Sequence, residues 1–174
     1  MKKIISAVYP GSFDPPTNGH LDIIIRASRL FPKIIIAVTD NINKKYMFRK
    51  HERISLVQKI TKGLKNVNIV SFSDSLLVDY VEQINSFVLI RGLRVLSDFE
   101  YEFQMALMNR KLNKKIETVF LMTDQNYTFL SSSIVKEIAI LGGDIKGFVH
   151  KYVEEKMKKR IINLSKIEKK NKRI

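Results

Sequence analysis

Short apolar runs alternate with longer amphipathic segments along this chain. The short runs are rich in Val and Ile, which is typical of buried strands, and strands are predicted at 4–9, 33–39, 67–72, 87–90 and 118–122. The longer segments have a helical period and predict helices after His20, at 48–63, 76–84 and 97–111, and from the serines before Ile134 to Gly142. This alternation predicts an α/β fold, a five-stranded parallel sheet flanked by helices.

Chemically active side chains follow each predicted strand. In chain order the candidates are His20, Lys44, the pair Leu76 and Leu77, the pair Arg91 and Arg94, and the serines Ser131, Ser132 and Ser133. Because ligands of such folds bind at the carboxyl ends of the strands, residues from five separate loops are expected to meet in one binding site. Lys45 stands beside Lys44, and the sequence leaves open which of the two contacts the ligand.

The segment YPGSFDPPTNGH, residues 9–20, connects the first strand to the first helix. Thr17 and Asn18 favour a helix start, so the first turn should present free backbone N–H groups and the positive end of the helix dipole to an anion. Gly19 lets the backbone approach a ligand closely, and His20 can donate a ring N–H to a phosphoryl oxygen. A plain turn with a surface histidine explains this combination less well than a phosphate site.

Length and composition favour one domain. The chain has 174 residues, of which 45% are hydrophobic, enough for one substantial core. It has no Cys, which excludes disulfides and cysteine nucleophiles, and its three His do not have the spacing of a zinc site. No secretory signal or membrane-spanning run is present, so a cytoplasmic location is expected.

The positive charge is concentrated at the carboxyl terminus. Residues 156–174 carry a net charge of +8 out of +14 for the whole chain. A solvated tail or a continued surface helix explains this segment better than RNA or membrane binding, because no aromatic platform accompanies the charge. No specific nucleic acid partner is therefore expected, although a basic RNA-binding protein is one alternative.

Four segments carry a family resemblance. They are TNGH at 17–20, IRGLR at 90–94, DFEYE at 98–102 and FLSSSIVKE at 129–137. Together they resemble the bacterial phosphopantetheine adenylyltransferases, a family of the nucleotidyltransferase superfamily, from the first strand to about residue 153. Another small nucleotidyltransferase, acting on nicotinamide mononucleotide or transferring CMP, is the alternative; it would share the first segment but not the other three.

The resemblance implies a Rossmann-like fold with a catalytic domain at 1–155. The composition of 156–174 predicts a basic, partly disordered helix or tail. The family resemblance implies reversible transfer of the adenylyl group from ATP to 4′-phosphopantetheine, giving dephospho-coenzyme A and pyrophosphate by direct in-line attack. Mg2+ would be the cofactor, carried on the ATP phosphates rather than by protein ligands. The resemblance also implies a homohexamer and inhibition by coenzyme A.

Site residues follow from the same resemblance, position by position. His20, Lys44 and Arg91 would be catalytic, and the phosphopantetheine site would consist of Ser12, Lys44, Leu77 and Arg91. The ATP site would consist of Ser12, Phe13, His20, Gly92, Leu93, Arg94, Glu102, Tyr127, Thr128, Phe129, Leu130, Ser131, Ser132 and Ser133. His20 would donate to the α-phosphate, Lys44 and Arg91 would bind the attacking phosphate, and Arg94 with the serines would bind the β- and γ-phosphates.

Two positions depart from the family pattern. Ser12 stands where Thr is common, which keeps the hydroxyl group. Tyr46 stands where many members have Pro, and the loss of proline's fixed φ is expected to loosen the loop that carries Lys44.

Overall fold

One parallel sheet organises the protein. The computed structural model describes residues 5–40, 44–72 and 75–171. The strands are β1 (Ser6–Gly11), β2 (Lys33–Val38), β3 (Val67–Ser71), β4 (Val88–Leu93) and β5 (Glu117–Met122). The helices are α1 (Asn18–Leu30), α2 (Lys50–Ile60), α3 (Leu77–Gln83), α4 (Leu96–Leu112), α5 (Ser132–Ile140) and α6 (Lys151–Asn171), with a 3₁₀ helix at Gln125–Tyr127. The strand order is β3-β2-β1-β4-β5 and every pairing is parallel, which confirms the predicted α/β fold.

Both faces of the central strands are buried. Ala7 and Tyr9 of β1 pack in the core on one face of the sheet, while Val8 packs in the core on the other. Successive side chains of a strand point to opposite faces, so a strand covered by helices on both sides must be apolar throughout. This is why the strands could be recognised as continuous apolar runs.

The predicted end of β4 was too early. The strand continues through Arg91, Gly92 and Leu93 because these residues pair with the last residues of β5. Arg91 therefore lies within β4 rather than after it, and Arg94 is the first residue beyond the strand. β1 also extends further than predicted, to Gly11, and the predicted residue Ile4 lies outside the described residues.

β1 and β4 separate at their carboxyl ends. They pair only through Ala7 with Val88 and Val8 with Leu89, although β1 continues to Gly11 and β4 to Leu93. The chain order of the sheet reverses at this strand pair, the switch point at which open α/β sheets bind ligands. The gap between the strand ends opens into the cavity described below.

Helix α6 packs against α2 and α5. Val153 and Met157 are fully buried with residues of those helices, and Arg160 pairs with Glu52 of α2. The helix passes without interruption across residue 155, and the division of the chain at that point stays a prediction. In the described part of the chain, no helix is both long and apolar enough to cross a membrane.

Candidate active site

A cavity of about 480 Å³ lies at the carboxyl edge of the sheet. Many of the residues that line it were predicted from the sequence as site residues. They are Ser12, His20, Lys44, Leu77, Arg91, Gly92, Arg94, Glu102, Leu130, Ser131, Ser132 and Ser133. The expected convergence of five loops is therefore observed. What each residue binds stays a prediction.

Five predicted ATP contacts do not line the cavity. Phe13 is fully buried and packs against the rings of Tyr9 and His20, so it supports the site from behind. Leu93 is buried in the sheet, and Phe129 is exposed with its ring against Phe148. Tyr127 and Thr128 lie in the turn that leads from β5 to α5.

The hydrogen bonds of His20 define its tautomer. The backbone N–H of Thr17 donates to Nδ1 of His20 at 3.0 Å, and the Thr17 hydroxyl lies 2.8 Å from the same nitrogen. Since Nδ1 accepts a hydrogen bond, the hydrogen of the neutral imidazole is on Nε2. The same threonine is the N-cap of α1, at the helix start that the sequence predicted from Thr17 and Asn18, and its hydroxyl accepts the backbone N–H of His20.

The environment of His20 keeps the imidazole neutral. Burial, followed by the positive charges of Arg94 and Lys44, lowers its pKa from 6.5 to about 4. A neutral histidine with a hydrogen on Nε2 is a hydrogen-bond donor at pH 7 without being a cation. It can stabilise a developing oxyanion in the cavity.

Arg91 is held by a carboxylate of α4. Its Nε and Nη2 donate to the two oxygens of Glu102 at 2.6 and 2.5 Å, and its Nη1 donates to the Pro10 carbonyl at 3.2 Å across the gap between β4 and β1. Burial lowers the pKa of Arg91, but the hydrogen bond and charge of Glu102 outweigh it and leave the pKa raised. The guanidinium is thus fixed in orientation, and two of its five N–H groups remain for an anion.

Arg94 is held in the same way. Its Nε and Nη2 donate to the carboxylate of Asp98 at 2.8 and 2.9 Å, and its Nη1 donates to the Leu130 carbonyl at 3.0 Å. The hydrogen bonds from Arg94 lower the pKa of Asp98. Asp98 also lines the cavity, and the sequence analysis missed it as a site residue although it stands four positions after Arg94 on a predicted helix.

The start of α5 closes another side of the cavity. Ser131 is the N-cap, and its hydroxyl accepts the N–H of Ile134 at 3.1 Å. The Ser132 hydroxyl donates to the Pro15 carbonyl at 2.8 Å, which ties α5 to the loop after β1. With these hydroxyls engaged, the first backbone N–H groups of α5 are the donors suited to a phosphate.

Lys44 reaches the cavity from a loop that is anchored at its far end. Asp14 accepts hydrogen bonds from the backbone N–H groups of Met47 and Phe48, both at 2.9 Å. The guanidinium of Arg53 lies 4.3 Å from the ring centre of Tyr46. The Tyr46 ring thus packs against a buried cation, and its effect on the flexibility of the loop stays a prediction.

Arg53 is the main support that sequence reasoning missed. Its side chain is only 1% exposed. It donates to the carbonyls of Ser12 at 2.6 Å, Thr39 at 3.0 Å and Phe48 at 3.2 Å, and it also pairs with Asp40. One guanidinium thus joins the loop after β1 to both ends of the connection between β2 and α2.

A second, smaller cavity of about 80 Å³ adjoins the first. Leu77, Arg91 and Glu102 line both cavities, and Tyr101, Met105 and Asn109 of α4 line only the second. An apolar extension next to a cationic site suits a ligand with a phosphate at one end and a longer, less polar chain at the other.

Known proteins resemble this chain in sequence and in fold. Residues 8–138 match the cytidylyltransferase-like family. The chain is 56% identical to the phosphopantetheine adenylyltransferase of Dictyoglomus thermophilum over 154 residues, which covers 88% of this chain and 93% of that protein. It is 55% identical to the phosphopantetheine adenylyltransferase of Clostridium botulinum strain Alaska E43 over 147 residues, covering 84% and 92%.

Among solved structures, the nicotinic acid mononucleotide adenylyltransferase of Plasmodium falciparum, complexed with NaAD, superimposes with a TM-score of 0.70. That match covers 93% of this chain and 96% of the other at 16% identity, so it shows the shared Rossmann-like fold alone.

Proposed function

The chain belongs to the phosphopantetheine adenylyltransferase family, and we propose that it transfers the adenylyl group of ATP to 4′-phosphopantetheine in coenzyme A biosynthesis. The products are dephospho-coenzyme A and pyrophosphate. The observation that carries this proposal is the larger cavity, which is lined together by His20, Lys44, Arg91, Arg94 and the start of α5.

The reaction is a direct displacement at phosphorus. An oxygen of the phosphopantetheine phosphate forms a bond to the α-phosphorus of ATP, and the bond from that phosphorus to the bridging oxygen of the β-phosphate breaks. Both reactants are anions, so the enzyme must hold them together against repulsion and stabilise the charge of the crowded transition state. No covalent intermediate with the protein is required.

The cavity residues divide this task. Lys44 and Arg91 bind the attacking phosphate, and Arg94 with the start of α5 binds the phosphates that leave as pyrophosphate. The neutral His20 donates its Nε2 hydrogen to an α-phosphate oxygen, where negative charge increases in the transition state. Glu102 and Asp98 keep the two arginines oriented, which reduces the reorganisation that the reaction needs.

Mg2+ enters on ATP in this proposal. Of the described residues that line the cavity, Asp98 and Glu102 are the acidic ones, and each is paired with an arginine. Among the described residues, no three His, Cys, Asp or Glu side chains form a group that could hold a metal ion. Phosphate oxygens and water suit Mg2+ as ligands, and the bound ion would offset part of the phosphate charge.

Assembly and inhibition are part of the same proposal. The helix α4 has exposed large apolar side chains, including Phe99, Tyr101, Phe103, Leu107 and Met108, which supports self-association into the expected homohexamer. The molar mass in solution tests this, and a monomer would contradict it. Coenzyme A shares the pantetheine arm of the substrate and would compete for its site. The cytoplasmic location expected from the sequence stays a prediction.

The proposed function is tested by supplying purified protein with ATP and several phosphorylated acceptors. Pyrophosphate release should be fast with 4′-phosphopantetheine and slow with nicotinic acid mononucleotide, nicotinamide mononucleotide or an alcohol phosphate. CTP in place of ATP should be a poor donor. Preference for a mononucleotide acceptor would overturn the proposal in favour of another nucleotidyltransferase activity.

The two arginines should affect different substrates. We expect Arg91→Ala to raise the Kd of phosphopantetheine about tenfold or more with a smaller effect on ATP, and Arg94→Ala to do the reverse. Charge-assisted hydrogen bonds of this kind contribute roughly 1.5–3 kcal/mol each. The variants are matched, because each substitution removes one cavity arginine and leaves one carboxylate partner. Calorimetric titration of each ligand measures the effect.

Arg29→Ala is the control for this pair, because Arg29 is exposed in the last turn of α1, at the end of the helix away from the cavity. It should leave both Kd values unchanged. Equal losses for both ligands in both site variants would mean that the arginines bind one phosphate group together, and the division of roles would be wrong.

Acceptor specificity should depend on Leu77. This side chain lines both cavities and is expected to contact the pantetheine arm, and burying a leucine contributes roughly 1.5–3 kcal/mol. Leu77→Asp should raise the KM for phosphopantetheine about tenfold or more while the KM for ATP stays near normal. Steady-state kinetics in both substrates measures this.

Leu76→Asp is the neighbouring control, since Leu76 is exposed and lines neither cavity. It should have nearly normal kinetics. If the Leu77→Asp enzyme used phosphopantetheine normally, Leu77 would not contribute to acceptor binding and the assignment would be wrong.

A further inference from the structure

Asp14 is buried behind the active site, where it contacts both the loop at 44–49 and helix α5. Its side chain is 2% exposed and does not line the cavity. Besides the N–H groups of Met47 and Phe48, it accepts a hydrogen bond from the ammonium group of Lys136 at 2.9 Å. A buried carboxylate is stable only when it is paired and hydrogen-bonded. These three donors therefore stabilise the Asp14 carboxylate, and the carboxylate in turn fixes their positions.

Lys136 connects α5 to Asp14. It lies one turn after Ser132 and Ser133, which line the cavity at the start of the helix. Its ammonium group also lies 3.4 Å from the carbonyl oxygen of Lys45. One side chain of α5 thus contacts both Asp14 and the residue next to Lys44.

These contacts connect the two halves of the cavity. The loop with Lys44 borders the part assigned to the acceptor phosphate, and the start of α5 borders the part assigned to the ATP phosphates. The Ser132 hydroxyl already ties α5 to Pro15, so α5 is fixed relative to the loop after β1 without Lys136. The loop at 44–49 is joined to α5 at two places. Phe48 packs in one apolar cluster with Val135 of α5. Lys136 of α5 contacts both Asp14 and the carbonyl of Lys45, the residue next to Lys44.

We propose that Lys136 is a positioning residue for the acceptor phosphate, acting through the loop that carries Lys44. This inference rests on the proposed function, because it assigns Lys44 to phosphopantetheine. Lys136 fixes the distance between Lys44 and the start of α5, so that the attacking phosphate lies in line with the bond that breaks. Its partners are Asp14 and a backbone carbonyl, not the substrate.

The competing explanation is that Lys136 attracts the acceptor phosphate directly by its charge. The two explanations differ when Lys44 is removed. A residue that acts through Lys44 has nothing left to position in a Lys44→Met enzyme, whereas a second cation would still contribute. A double-mutant cycle measures that difference.

The experiment compares Lys136→Met, Lys44→Met and the double variant by steady-state kinetics. Lys136→Met should raise the KM for phosphopantetheine about tenfold, the scale of effect expected when a binding group is misplaced, and change the KM for ATP less than about twofold. Adding it to Lys44→Met should produce no further rise. Lys136→Arg, which keeps the cation, should recover most of the lost affinity.

Lys158→Met is the matched control, because Lys158 also pairs with a carboxylate, Glu154, but on the exposed side of α6. It should leave both KM values unchanged. If Lys136→Met does not fold by circular dichroism, Lys136→Gln, which keeps a donor, replaces it in the same cycle.

Each result bears on the inference. Additive losses in the double variant would show a direct charge effect and overturn it, and so would a normal KM for phosphopantetheine in the Lys136 variants. Equal rises in both KM values would show general structural damage and overturn it as well. Failure of the proposed function is distinguishable, because the wild-type protein itself would then not use phosphopantetheine.

Discussion

His20→Ala should lower kcat by about 10²-fold or more while the Kd of ATP changes little. The variant removes the Nε2 hydrogen that is assigned to the α-phosphate, and the loss of one such donor typically costs about 10²- to 10³-fold in kcat. The donor acts mainly on charge that develops in the transition state, so substrate binding should be spared. Single-turnover measurement of pyrophosphate formation and ATP titration separate the two effects.

His51→Ala is the control for this prediction, because His51 is exposed on α2 and does not line the cavity. Its kcat should be normal. A His20→Ala enzyme with near-normal turnover would remove His20 from the mechanism, whereas a large rise in the Kd of ATP would mean that the histidine already binds the ground state.

Arg53→Met should lower the free energy of unfolding by about 3 kcal/mol or more, because each buried hydrogen-bonding group left without its partner costs about 1–3 kcal/mol. The substitution fills a similar volume but leaves the carbonyls of Ser12, Thr39 and Phe48 without their donor. Because those carbonyls lie in loops that form the site, kcat should also fall. Urea denaturation followed by circular dichroism measures the stability change.

The comparison variant is Arg29→Met, which removes an exposed arginine with the same change in charge and side-chain length. It should change the free energy of unfolding by less than about 0.5 kcal/mol. A similarly small change for Arg53→Met would show that water replaces the guanidinium at those carbonyls, and that Arg53 does not stabilise the site.

The elements of the fold were predictable because they depend on local patterns. The strands are continuous apolar runs since both faces of the sheet are covered, and the start of α1 follows from Thr17, a residue with a strong capping preference. The end of β4 was not predictable in the same way. Arg91 and Gly92 do not look like strand residues, and only pairing with β5 extends the strand through them.

The site was predictable where its residues follow strands, and less so where they act through other residues. His20 in the first turn of α1, and Lys44 and Arg94 in loops, lie at the carboxyl edge of the sheet, where sequence position and chemistry agree. Asp14 binds partners that are 33, 34 and 122 positions away in the chain, and Arg53 binds Ser12, which is 41 positions away. No short-range pattern encodes such partners, so their roles became visible only in the folded protein.

Thr17 has a consequence for how this protein can evolve. The residue begins α1 and, with the same backbone and hydroxyl groups, sets the tautomer of His20. Many substitutions that change stability leave activity unchanged, so stability can vary at those positions while selection maintains activity. In this protein, the stability of the start of α1 and the tautomer of His20 both depend on one buried residue, Thr17. A substitution that weakens the helix start also disturbs the histidine, which leaves selection a narrow choice of side chains with a hydroxyl at this position.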